Sequence, residues 1–158
     1  MSYKLRLFEA DDAAALAALT LEAIRIIGAQ AYSPEQLRVW SAGHISAERF
    51  LARAEAGHQI FVMEADTGAP AAYALLEPDG HLDMLYCKPA HAGRGLASQL
   101  LKHAEEKARS LGALRLYTEA SELARPAFES AGYKLSYRRD LELEGVAIHN
   151  YAMEKRLG

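Results

Sequence analysis

The residues best suited to chemistry fall in one continuous stretch, Leu82-Asp83-Met84-Leu85-Tyr86-Cys87-Lys88-Pro89-Ala90-His91-Ala92-Gly93-Arg94-Gly95-Leu96-Ala97-Ser98-Gln99-Leu100-Leu101. An apolar segment runs into a loop with two glycines, and the loop runs into a helical pattern. Gly93 and Gly95 carry no Cβ, so a ligand can come close to their backbone N–H groups. The first-turn amides of the following helix have no intrahelical partner and sit at its positive dipole end. Strand, glycine loop and helix N-terminus in that order form a site for a phosphate or pyrophosphate. A P-loop would need G-x-x-x-x-G-K-[ST], and the Lys-Ser or Lys-Thr pair is absent. The dinucleotide fingerprint G-x-G-x-x-G is met in part, by Gly93, Gly95 and then Ser98, with Glu119 at the end of the next strand. Five residues, however, separate the strand end near Cys87–Lys88 from Gly93, where that motif requires a tight turn. A glycine-bearing helix entry without any ligand accounts for the same residues.

Proton chemistry has candidates just upstream. Alternation puts His81, Asp83, Leu85 and Cys87 on one face of the strand. An imidazole near pKa 6.5 suits a base at neutral pH, whereas Asp83 needs a raised pKa or a water relay. The plainer roles are a turn histidine and an aspartate that anchors neighbouring backbone. Cys87 reads as a small core residue, since no histidine or helix N-terminus pairs with it. Tyr117 and Tyr133 are hydroxyl donors on nearby elements, or else packed aromatics. Tyr32, Gln36 and Trp40 follow i, i+4, i+8 and share one helix face, either a pocket wall or a core stripe. His44, His58, His91, His103 and His149 show no metal-ligand spacing, so no metal is expected.

The elements that must position these residues follow from periodicity and punctuation. Lys4–Phe8 alternates as a strand. Asp11 or Asp12 caps a helix with an apolar stripe at Leu16, Leu19, Ala23, Ile26 and Ile27. Ser33-Pro34-Glu35-Gln36 starts a second helix with a capping serine, proline in the first turn and Gln three residues after the cap. Ser46 opens a third, carried by Phe50, Leu51 and Ala54 and stopped by Gly57. Gln59–Ala65 and Ala69–Leu76 are strands around Asp66-Thr67-Gly68, and His81–Lys88 is a strand after the turn Pro78-Asp79-Gly80. Gly93 to Leu111 is helical, with Leu96, Leu100, Ala104, Ala108 and Leu111 on one face. Leu114–Thr118 is a strand and Ser121–Ala131 a short helix. Tyr133–Leu143 and Val146–Lys155 form a hairpin at Glu144-Gly145. The expectation is one domain over residues 1–158, mixed α/β with a closing hairpin.

Composition sets the outer limits. The 158 residues are 51% hydrophobic and 25% charged, with a net charge of −3. That balance fits a soluble globular domain and carries no basic footprint for nucleic acid. A single cysteine excludes an internal disulfide and suits a reducing compartment. No apolar run approaches a membrane span, and Met1-Ser2-Tyr3-Lys4 lacks a signal-peptide pattern, so a cytoplasmic location is expected.

Four segments carry a resemblance to a known family. Ala92-Gly93-Arg94-Gly95-Leu96-Ala97 resembles the acyl-CoA loop [QR]-x-x-G-x-[GA] of the GNAT superfamily of N-acyltransferases, with Ala92 where Gln or Arg is usual. Leu114 to Ser121 is similar to the family's next strand. Ala124 to Tyr133 is similar to its helix ending in E-x-x-G-[FY], with Phe128 where a tyrosine is common. Asn150 to Leu157 resembles its last strand. The early Ala31 to Leu37 segment with Trp40 resembles a bacterial subgroup.

The resemblance implies a three-layer fold, with a central, mostly antiparallel sheet of about seven strands and helices on both faces. It implies an acetyl-CoA-dependent N-acetyltransferase acting by direct attack of a primary amine of a small molecule or peptide; the alternative is an acyl-CoA-binding sensor with little catalysis. The acetyl-CoA site would comprise Leu85, Tyr86, Cys87, Gly93, Arg94, Gly95, Leu96, Ala97, Ser98, Ser121 and Phe128. His81, Asp83 and Tyr117 would be catalytic, and Tyr32, Gln36 and Trp40 would cradle the acceptor. The family also suggests a homodimer through the last strands.

Overall fold

The computed structural model describes residues 2–43 and 46–158. His44, weighed above for metal spacing, lies outside them. Among the described residues seven strands form two antiparallel sheets. The first contains β1 (Lys4–Leu7), β2 (Gln59–Glu64), β3 (Pro70–Leu76) and β4 (Leu82–Cys87), in that order. The second contains β5 (Arg115–Ala120), β6 (Lys134–Leu143) and β7 (Val146–Arg156), with β7 in the middle. The helices are α1 (Ala13–Ile26), α2 (Pro34–Ser41), α3 (Ala47–Glu55), α4 (Leu96–Ser110) and α5 (Arg125–Ser130). Among the described residues no helix is long and apolar enough to cross a membrane.

The first sheet is covered on both faces, which is why β2 and β3 are apolar at almost every position. Ile60, Val62, Tyr73 and Leu75 pack with Leu16, Leu19 and Phe50 of α1 and α3. Phe61, Met63, Ala72, Ala74 and Leu76 pack on the opposite side, with Leu96, Leu100, Leu101, Ala104 and Ala108 of α4. Leu111 does not continue that stripe but is half exposed beyond the end of α4, and Ile26 at the end of α1 is likewise half exposed.

The helix boundaries follow local chemistry. At Ser33 a capping box closes as expected: Ser33 Oγ accepts from the Gln36 amide at 3.1 Å and Gln36 Oε1 accepts from the Ser33 amide at 2.8 Å. Asp12 does not cap α1 through its side chain; it accepts the Arg6 guanidinium at 2.8 and 2.9 Å and the Glu9 amide at 2.8 Å. The helix expected from Ser121 to Ala131 is shorter, Arg125–Ser130, because Ser121 Oγ holds a turn by accepting from the Ala124 amide.

The two sheets meet at one point. His81 and Tyr117 form a single parallel bridge, the Tyr117 amide donates to Gly80 O at 3.1 Å, and Thr118 Oγ1 donates to Leu82 O at 2.7 Å. Beyond these contacts β4 and β5 part, leaving an unpaired edge on each. The junction depends on Gly80, whose φ of +100° is left-handed and where a Cβ would lie 2.2 Å from Arg115 O.

Candidate active site

The gap between β4 and β5 holds two adjoining cavities. A larger one of about 270 Å³ is bordered by Tyr32, Trp40, Asp83, Leu85, Tyr86, Glu119, Ser121, Phe128 and, from the second sheet, Arg139, Leu141, Leu143, Ile148, His149 and Asn150. A smaller one of about 150 Å³ is mostly apolar and runs past Ala72, Cys87, Ala97 and Ala127. Trp40, Leu85, Tyr86, Ser121 and Ala124 border both. The smaller cavity therefore leads from the start of α4 to a wall shared with the larger, polar one.

The loop before α4 presents amides, as expected from its glycines. Gly93 and Gly95 both have φ of +76°, and nothing lies within 4 Å of where a Cβ would be added at either. Gly95 occupies the N-cap of α4, while the Leu96 side chain is buried in the core. Arg94 and Ser98 are exposed, so backbone N–H groups and the Arg94 charge are what the loop offers an anion. The loop is tied down by Tyr3, whose hydroxyl hydrogen-bonds His91 Nδ1 at 2.9 Å, and by the Lys88 amide, which donates to Ala71 O at 2.8 Å.

A charged cluster occupies the other end of the gap. His81 bridges two carboxylates, with Nδ1 on Glu77 and Nε2 2.7 Å from Glu119 Oε1. Arg53 reaches Asp83 at 2.9 Å and Glu77 at 3.5 Å. Burial opposes charge on the imidazole, but the hydrogen bonds it donates to Glu119 and Glu77 outweigh that and push the His81 pKa up to about 9. His81 is thus an imidazolium at neutral pH. The cluster sets three carboxylates against two cations. Glu77, His81 and Asp83 offer ligand atoms within 4.8 Å of one another, yet the Arg53 guanidinium is already bonded within that set.

Alternation along β4 is broken where it matters. Leu75 pairs with Met84 but Leu76 pairs with Leu82, so Asp83 is an extra residue at a bulge. Leu82, Leu85 and Cys87 face α4, while Met84 and Tyr86 face α1. Strict period two, which put His81 and Asp83 on the face of Leu85 and Cys87, does not hold through this point. The bulge lets Asp83 border the larger cavity and reach Arg53.

The other sequence candidates are placed as follows. Tyr32 and Trp40 line the larger cavity, their rings 5.3 Å apart; the Tyr32 hydroxyl donates to His149 O at 3.0 Å and accepts from the Glu122 amide at 2.9 Å. Gln36, on the same helix face as Trp40, lines neither cavity; beyond its capping role, Nε2 donates to Ala147 O at 2.9 Å and ties α2 to β7. Tyr117 also lies outside both cavities: its ring stacks on His81 at 4.7 Å and its hydroxyl donates to Asp79, which holds its pKa up at about 12. Tyr133 packs against Phe128 at 5.0 Å with its hydroxyl buried. Burial alone pushes the Cys87 thiol up, as suits a residue that is not a nucleophile. Arg139 and Asn150 border the larger cavity without having been sequence candidates, as do Glu119, weighed only for a dinucleotide fingerprint, and His149, weighed only as a metal ligand. The signal for Glu119 was its period-two spacing from Tyr117 and Ser121; nothing local marks the others.

The sequence matches the family of acetyltransferase (GNAT) domains over residues 28–155. It is 27% identical over 150 residues to the uncharacterised N-acetyltransferase YafP of Escherichia coli K12, spanning 95% of this chain and 93% of that one. The fold superposes with a TM-score of 0.88 on a GCN5-related N-acetyltransferase from Rhodopseudomonas palustris, 32% identical, across 99% of this chain and 97% of that one. It superposes at 0.79 on the PaiA N-acetyltransferase of Thermoplasma acidophilum in complex with coenzyme A, 21% identical, across 99% and 100% of the two chains. The chain belongs to the GNAT family and is an N-acetyltransferase.

Proposed function

We propose that the protein transfers the acetyl group of acetyl-CoA to a primary amine held in the larger cavity. The observation that carries this reading is the pair of cavities sharing one wall between the parted edges of β4 and β5. The amides of Gly93 to Ser98 receive the pyrophosphate, and the apolar cavity along Leu85, Tyr86 and Cys87 receives the pantetheine arm. The unpaired backbone edge of β4 supplies hydrogen-bonding groups for that arm. The thioester then lies at the shared wall near Leu85 and Ser121, facing an amine that enters from the side of Tyr32 and Trp40.

An alkylammonium of pKa near 10.4 must lose a proton before it attacks. Asp83 and Glu119 border the cavity and attract the ammonium, and Glu119 takes the proton directly or through a water. His81, cationic and bonded to Glu119, acts as a positioning residue, and Tyr117 supports it by stacking. The amine nitrogen bonds to the carbonyl carbon, the cationic nitrogen of the tetrahedral adduct gives its second proton to water, and the adduct collapses to the amide as the C–S bond breaks. The CoA thiolate, from a thiol of pKa near 8.5, leaves without requiring a dedicated acid, consistent with Phe128 and with Tyr117 lying off the gap.

The test is release of CoA thiol from acetyl-CoA in the presence of a panel of primary amines. Amine-dependent release supports acetyl transfer. Binding of acetyl-CoA with no amine-dependent release across the panel would favour the sensor reading.

A further inference from the structure

The floor of the larger cavity is one face of the second sheet, and its residues can be ordered by register. Glu119 pairs with Ala152, and Asn150 pairs with Arg139, all in antiparallel pairing. Directly paired side chains share a face, and so do residues two apart on β7. Glu119, Asn150 and Arg139 therefore point to the same side, followed by Ile148 and Leu141 one pair further on. Across this floor the charge changes sign, from Glu119 and the neighbouring Asp83 to Arg139. With strands about 4.8 Å apart and two strand spacings between β5 and β6, the Cα atoms of Glu119 and Arg139 are separated by roughly 11–12 Å. Both side chains reach inward from there.

Arg139 differs from Arg53 in how it is held. Arg53 bonds to two carboxylates. Arg139 is half-buried and donates to a neutral acceptor, Asn150 Oδ1, at 3.1 Å; among the described residues no carboxylate lies within ion-pairing distance of it. A guanidinium bordering a cavity without a counter-charge has its remaining N–H groups free for a planar oxyanion. The cavity volume of about 270 Å³ suits one small molecule.

We infer that the acceptor is an amino acid-like molecule, its amine toward Asp83 and Glu119 and its carboxylate on Arg139. This rests on the acetyl-transfer reading above and narrows its substrate class. A simple alkylamine or polyamine would leave Arg139 unanswered and place a second cation or an apolar end beside it.

The experiment compares free amino acids, including ω-amino acids, with their carboxamides, in wild type and in Arg139→Gln and Arg139→Lys. Acetylation is followed as thiol release, and binding is followed in parallel by calorimetry on the protein saturated with CoA, so that binding is read even where turnover is absent. The wild type is expected to favour at least one acid over its carboxamide by roughly 10- to 100-fold in kcat/KM or Kd, the strength of a charge-assisted pair. Arg139→Gln should bring that ratio near one, and Arg139→Lys should restore part of it. Carboxamides or decarboxylated amines used as well as the acids would overturn the inference while leaving acetyl transfer intact. So would an equal loss for acid and amide in Arg139→Gln, or no acid bound by the CoA-saturated protein. Acids that bind through Arg139 without any thiol release would instead support the inference and count against acetyl transfer.

Discussion

His81 Nε2 lies 2.7 Å from Glu119 Oε1, at the point where the two sheets touch before they part. One residue closes the turn before β4 and the other sits on β5, so the hydrogen bond joins the two halves of the fold at the mouth of the gap. It also fixes the carboxylate that borders the larger cavity.

The pair makes stability depend on pH with a definite sign. The His81 pKa is raised from 6.5 in the unfolded chain to about 9 in the folded one. The stabilisation is therefore fully present below about 6.5 and is lost as pH rises through about 9. Thermal unfolding across that window should show the wild-type Tm falling, with a flatter profile for His81→Gln. Parallel profiles would mean that the imidazolium adds nothing.

Glu119→Gln should lower kcat by about 10²–10⁴, the range for removal of a general base. Acetyl-CoA affinity should hardly change, since the carboxylate does not border the smaller cavity. Single-turnover rates and calorimetric acetyl-CoA binding on the same variant separate the two effects.

Tyr117→Phe distinguishes two roles for the tyrosine. With its hydroxyl committed to Asp79 and its ring stacked on His81, the variant should lose less than about tenfold in kcat. Loss of a general acid would cost about 10²–10⁴, so a fall of that size in steady-state assays would assign the donor role to Tyr117.

Gly80→Ala should destabilise the protein by about 2–4 kcal/mol, from left-handed strain and a clash with Arg115 O at the sheet junction. Gly93→Ala meets no atom and should cost only about 1–2 kcal/mol of backbone strain. Its larger effect is expected on acetyl-CoA binding. Chemical denaturation of both variants checks the ranking.

Much of this architecture is legible in the chain because it rests on local chemistry. The Ser33–Gln36 capping box, the apolar run of β2 and β3 and the paired glycines before α4 each state their structure within a few residues. Asp83 shows where local reading ends. Its bulge arises from the register between β3 and β4, a long-range property that alternation within β4 cannot encode. Arg139 and Asn150 meet the gap only because β7 lies between β5 and β6, and a hairpin pattern alone does not say which face is covered. Gln36 lay on the expected helix face, but its amide was taken up by a cap and by Ala147 O. Competition for hydrogen bonds of that kind has no signature in spacing.

If the gap between β4 and β5 takes acetyl-CoA, the ligand must stabilise the fold. The most direct test is thermal unfolding of the wild-type protein with acetyl-CoA, using NADH as control. At about 100 times Kd a ligand adds ~2.7 kcal/mol, which for a chain of this size is a rise in Tm on the order of 5–10 °C. That rise is expected with acetyl-CoA and none with NADH. No rise with acetyl-CoA, or an equal rise with NADH, would contradict it.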